Sequence, residues 1–333
     1  MTIPRHYIQM IVLCVMGAAG CATTNYRDAL LTLHYDTMTP FLSKYERKWA
    51  REMKELLKEI RNGTDVNTKA SEGETMLIYA SGRGHRCLAA FLIQQGADVQ
   101  LSNTDGWTPL MCAAYVGDPD MIRLLIANGA DINARNNDQD TALILASNAE
   151  RDTAETVKVL LENGADIHAT NESGESALSS ATCNNYLETM NTLISNGADV
   201  NGRVFLDKMT MLMIAAANGH AKAARLLLAN GADADAKDEF GATAFMRAAF
   251  SGNARTLKVL MPRTTGIDAC ADQGETALYW AAISGNLETV RFLIKLGSDI
   301  NARAKNGLTP LGVALKHNHP EVVRLLKKHG AKE

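Results

Sequence analysis

Trp107-Thr108-Pro109-Leu110-Met111-Cys112-Ala113-Ala114-Tyr115-Val116-Gly117 is followed at once by a second run, Met121-Ile122-Arg123-Leu124-Leu125-Ile126-Ala127-Asn128-Gly129-Ala130-Asp131-Ile132-Asn133. The two read as short helices separated by a glycine. Thr108 is placed to cap the first helix with its hydroxyl, and Pro109 suits the first helical position. Ala113 and Ala114 are small enough to let another helix lie close. Met121, Leu124, Leu125 and Ile126 give the second helix an apolar face at i, i+3, i+4 spacing. Asn128-Gly129 ends it, because glycine adopts the left-handed conformation without a Cβ clash. A unit this small cannot bury its own apolar face and needs copies of itself on either side.

The copies are present. The residue that starts the unit recurs at Thr75, Thr108, Thr141, Ser176, Thr210, Thr243, Thr276 and Thr309, at spacings of 33, 33, 35, 34, 33, 33 and 33. The end of the unit recurs as Gly96-Ala97-Asp98-Val99, Gly129-Ala130-Asp131-Ile132, Gly164-Ala165-Asp166-Ile167, Gly197-Ala198-Asp199-Val200, Gly231-Ala232-Asp233-Ala234 and Gly297-Ser298-Asp299-Ile300. A sustained 33-residue period marks a helical solenoid, which grows by stacking and not by enlarging one core.

These motifs resemble ankyrin repeats over about 50–333. The resemblance implies an all-α ankyrin-repeat solenoid of about eight repeats with hairpin-like fingers, capped at its N-terminus by a helix. The family's Thr-Pro-Leu-His is never complete here. The proline survives at Pro109 and Pro310, and the histidine position holds Ile78, Met111, Ile144, Ser179, Met213, Met246, Tyr279 and Gly312. In the family that histidine links neighbouring repeats, so apolar packing is expected to replace it. Three irregularities are read as loop adjustments: two extra residues near Ala149 to Asp152, one more between Asn201 and Asp207, and Pro262, which should shorten the second helix of the sixth repeat.

The N-terminus has a different character. Arg5 and His6 precede a mostly apolar run from Tyr7 to Met16, then small residues and Cys21. That layout predicts a secretory signal over 1–20. Ala18-Ala19-Gly20-Cys21 resembles the bacterial lipobox, which implies lipidation of Cys21. Ala22 in place of aspartate implies the outer membrane. The predicted location is therefore the bacterial cell envelope, lipid-anchored, on the periplasmic face. Residues 21–39 read as a tether and 40–67 as the N-terminal capping helix and half repeat. The seven basic and four acidic residues of its helix, Pro40 to Asn62, are read as a solvated face. Residues 68–333 are the repeat domain.

Net charge is −3, with 34 basic and 37 acidic residues, which argues against nucleic acid as a partner. No metal-ligand spacing, phosphate loop or nucleophile motif stands out, so no cofactor and no catalytic residue is expected. The aspartates that recur once per repeat read as turn caps. The resemblance implies instead a non-enzymatic protein-binding scaffold, using the fingers and the residues just after the paired alanines. On this chain those positions include Asp105, Trp107, Tyr115, Asp140, Glu175, Met209, Glu239, Phe240 and Phe250. The fingers are acidic overall, so the expected protein partner is basic. An alternative is an ankyrin-repeat effector exported to act on host proteins, but a lipobox would retain the chain on its own envelope.

Overall fold

The computed structural model describes residues 62, 63, 65–205, 207–264 and 266–332. The proposed signal, the tether, Cys21 and nearly all of the capping helix lie outside the described residues. The chain divides into two units, Met1–Asp65 and Val66–Glu333. The second is built as follows.

Sixteen α-helices stand among the described residues, in eight pairs. The first two pairs are α1 (Met76–Gly82) with α2 (Arg86–Gln94), and α3 (Pro109–Val116) with α4 (Pro119–Ala127). Next come α5 (Ala142–Ser147) with α6 (Ala154–Glu162), and α7 (Ala177–Cys183) with α8 (Leu187–Ser195). Then follow α9 (Met211–Ala217) with α10 (Ala221–Ala229), and α11 (Ala244–Phe250) with α12 (Ala254–Leu260). The last are α13 (Ala277–Ser284) with α14 (Leu287–Leu296), and α15 (Pro310–Lys316) with α16 (Pro320–Lys328). Odd helices stack on odd and even on even, and the odd row is mostly the more closely packed. Alanine pairs such as Ala113-Ala114 and Ala281-Ala282 are fully buried and permit that approach. The odd row is therefore the inner one and the even row the outer one.

Each inner helix starts in the same way. The hydroxyl of Thr75, Thr108, Thr141, Ser176, Thr210, Thr243, Thr276 or Thr309 accepts the N–H three residues on, at 3.2–3.4 Å. Gly129, with φ 89°, turns the chain out of α4 in a conformation that only glycine adopts readily. The next aspartates cap that turn: Asp98, Asp131, Asp166, Asp199, Asp233 and Asp299 each accept the N–H two residues on, at 2.8–2.9 Å.

At the family's histidine position, Ile78, Met111, Ile144, Met213 and Met246 are buried, so apolar packing replaces the polar link there. Tyr279 keeps a polar link at that position, its hydroxyl accepting from Asn306 Nδ2 of the next finger at 2.9 Å. Further polar links sit at the start of the outer helices. His220 Nε2 meets the Cys183 carbonyl at 2.9 Å and His319 Nε2 the Ile283 carbonyl at 2.8 Å. The Tyr186 hydroxyl donates to the Ala149 carbonyl at 2.7 Å. Each joins a repeat to the preceding one.

The irregularities fall in loops. Asp152, in the enlarged third repeat, accepts the N–H groups of Glu188 and Thr189 at 3.1 Å and caps α8 from the repeat before. The fifth finger contains a two-stranded antiparallel pair, β1 (Arg203–Val204) and β2 (Met209–Thr210), with Phe205 and Lys208 left-handed between them. Apart from the Thr170–Ser176 bridge, this is the only strand pairing among the described residues. In the sixth repeat α12 has seven residues where the other outer helices have nine or ten, and a 3-10 turn at Met261–Arg263 follows it. Proline has no N–H to continue the α-helical ladder, so Pro262 forces that exit.

Candidate functional site

The fingers are tied to one another by main-chain bonds. Thr104 N–H donates to the Glu72 carbonyl, Asn137 to Asp105, Glu172 to Asp138, Glu239 to Asp207, Asp272 to Phe240 and Lys305 to Gln273, at 2.7–3.0 Å. Inside a finger one asparagine or aspartate carboxamide or carboxylate holds the tip. Asn103 Oδ1 accepts from Asp105 and Trp107 at 3.0 and 2.9 Å, and Asp238 Oδ1 accepts from Phe240 and Ala242 at 2.9 Å. The result is a row of ordered tips that projects side chains beside the inner helices.

Across the first four repeats this row is negative. Glu72, Asp105, Asp138 and Glu172 are exposed, Glu74, Asp140 and Glu175 half-buried. Among the described residues none of the seven forms an ion pair. The nearby cations are committed to main-chain carbonyls: Arg135 donates to Thr170 at 2.8 Å and to Gln139 at 3.1 Å, and Lys69 to Ser102 at 2.7 Å. Arg83 lies over the Tyr79 ring, 5.5 Å from its centroid. Asp140 and Glu175 share a donor, since Asn171 Nδ2 reaches the former at 2.9 Å and the latter at 3.1 Å. The negative field is felt by two half-buried thiols on the inner helices. Burial, then Glu74, pushes Cys112 up to about 12, and burial, then Glu175, raises Cys183. Both are protonated at neutral pH and are poor nucleophiles.

The aromatic residues form two centres. In the second repeat Trp107 is half-buried and Tyr115 is 38% exposed; their rings meet edge to face at 5.7 Å. In the sixth, Phe240 stands 59% exposed at the finger tip and Phe250 44% exposed at the end of α11. Phe250 packs edge to face on half-buried Trp280 of the next repeat, at 5.5 Å. The two centres are four repeats apart on one surface and do not touch. Met209 is half-buried in β2, and Glu239 is exposed, 3.9 Å from Lys208.

Sequence reasoning missed Trp280 and Arg247. Both lie four residues after the capping threonine, a place occupied elsewhere by Tyr79, Cys112, Leu145, Ser180, Ile214 and Val313. A position that changes from small to aromatic to charged in an otherwise regular repeat was the available signal. Arg247 Nε donates to Asp238 at 3.0 Å and Nη2 lies 3.5 Å from Asp207, so the arginine ties two fingers together. The four described cysteines are free thiols. Among the described residues there is no cluster that could hold a metal ion and no helix long and apolar enough to cross a membrane.

The sequence profile described as "Ankyrin repeats (3 copies)" matches residues 49–136, 133–204, 201–272 and 245–333, and the chain belongs to that family. Among solved structures it is similar to the human ASB11 ankyrin repeat domain. The TM-score is 0.60 and the identity 24%, over 66% of this chain and 98% of that one, a likeness of fold. No curated protein matches in sequence.

Proposed function

We propose that this protein is a non-enzymatic scaffold that captures a basic segment of another protein along its fingers and inner helices. The observation that carries the reading is the set of seven carboxylates that form no ion pair among the described residues, beside the Trp107–Tyr115 pair. Such a field steers a basic ligand and fixes its register, while the aromatic pair supplies the apolar anchor. Ankyrin repeats bind protein partners in general, and the half-buried thiols Cys112 and Cys183 beside the fingers are held protonated. A peptide array of varied charge tests the idea. Binders should be rich in lysine and arginine and should be lost when Asp138→Lys and Glu172→Lys are combined. Charge-indifferent binders, unaffected by that double variant, would sink it.

The same proposal places the scaffold at the bacterial envelope, on the outer membrane facing the periplasm, through a lipid on Cys21. Its support is the sequence Ala18-Ala19-Gly20-Cys21 after a short apolar run. Cys21→Ala should abolish incorporation of labelled palmitate and release the protein from membranes. Unchanged labelling and retention would remove the anchor from the proposal.

A further inference from the structure

The outer helices of the last four repeats carry charge mainly of one sign. α10, α12, α14 and α16, with the turn Met261–Arg263, hold ten lysines and arginines against two glutamates. The first four outer helices hold three against four. In that half the cations are neutralised in a chain: Arg86 pairs with Asp118 and Asp120, and Arg123 with Asp120 and Glu155. The other half lacks such a chain. Arg225, Arg255, Lys258 and Arg263 are exposed and have no carboxylate partner among the described residues.

Those four side chains surround one open cleft of about 480 Å³ between α10 and α12, floored by Leu228 and Val259. The cleft exists where Pro262 ends α12 early and the turn brings Arg263 to the rim. Met261 and Pro262 are exposed beside it, Met261 at 39%. Cations around a small apolar patch on a helical surface form the pattern of a face that lies in the headgroup region of a bilayer.

We propose that this outer row rests on a bilayer surface containing anionic phospholipid, with headgroup phosphates seated among Arg225, Arg255, Lys258 and Arg263. A bilayer touches one face only and leaves the acidic fingers in water. A single-stranded nucleic acid would call for exposed aromatic platforms on the same face. The row offers none among its described residues: Phe292 is half-buried with Lys258 above its ring, 5.7 Å from the centroid.

The test is vesicle co-sedimentation of the full chain carrying Cys21→Ala, so that no acyl chain contributes. Vesicles are phosphatidylcholine alone, or phosphatidylcholine with phosphatidylglycerol. Binding should require phosphatidylglycerol and weaken as salt is raised. Each basic residue at such a surface contributes about fivefold in partitioning. Combining Arg225→Gln, Arg255→Gln, Lys258→Gln and Arg263→Gln should therefore lower it by several hundredfold, about 600-fold if the four act independently. The apolar N-terminal run is common to both chains and cancels in that comparison. The four side chains are exposed, so the melting temperature should hold; Lys305→Gln with Lys316→Gln, on the finger side, should leave partitioning unchanged. Equal binding to both vesicle types, or full binding by the fourfold variant, overturns the proposal. So does tight binding of a labelled single-stranded RNA without vesicle binding, which would give the face to nucleic acid.

Discussion

Arg247, on α11, closes over the Asp238 carboxylate at the root of the sixth finger, and that carboxylate is wholly withdrawn from water while Arg247 itself is 20% exposed. The carboxylate also accepts the N–H groups of Phe240 and Ala242, so the pair fixes the finger that presents Phe240. Removing one partner of a buried pair leaves an uncompensated charge. Arg247→Ala should cost about 3–5 kcal/mol in urea unfolding. Adding Asp238→Asn should recover a large part of it, and a double variant no more stable than the single would refute the coupling.

The sixth repeat should also be the least cohesive joint. Stability in a solenoid is approximately a sum of repeat and neighbour terms. Here α12 is two residues short and its exit is a 3-10 turn. Hydrogen exchange followed by mass spectrometry should show 254–268 opening before α3 and α4. Equal protection in the two regions would contradict this.

The fold was legible because the repeat writes the same local chemistry eight times. Threonine caps, glycine exits and turn aspartates act over two to four residues, so their sequence is their structure. The pairs between repeats were not legible. Arg247 with Asp207, Phe250 with Trp280, and Asn171 with Asp140 depend on lateral register between fingers and helices some 30–40 residues apart. Sequence reading placed Asp140 and Glu175 among the partner-binding finger positions only. In the fold they share one amide, which ties them to finger structure as well as to the field.

Cys112 provides a pH test of the inner surface. Its thiol is pushed up to about 12 by burial and by Glu74, against an ordinary value of 9.0. The folded chain therefore holds this proton more tightly than the unfolded chain does. The resulting stability is present below pH 9 and is lost as pH rises from about 9 towards 12. Alkylation by iodoacetamide at pH 8 should label exposed Cys270 readily and Cys112 very slowly, with the Cys112 rate rising about tenfold per pH unit. Equal labelling of the two at pH 8 would show that the thiol is not held protonated.

The binding surface makes the sharpest demand, because its two components should separate kinetically. Tyr115 is exposed and rests edge-on against Trp107, so its truncation removes contact area without opening the core. With a basic peptide found by array, Tyr115→Ala and Trp107→Ala should each weaken binding by about 2 kcal/mol or more, through faster dissociation. The melting temperature should stay nearly constant for Tyr115→Ala. If Trp107 served packing alone, its truncation would instead cost stability, by about 3–5 kcal/mol for a buried aromatic, and leave affinity intact. The carboxylates act earlier in the encounter. Asp138→Lys with Glu172→Lys should slow association and flatten its dependence on salt, with little change in the dissociation rate of whatever complex still forms. Stopped-flow measurement at several ionic strengths separates the two effects. A salt-independent association rate, together with full affinity in the Tyr115 and Trp107 variants, would move the site off the finger surface altogether.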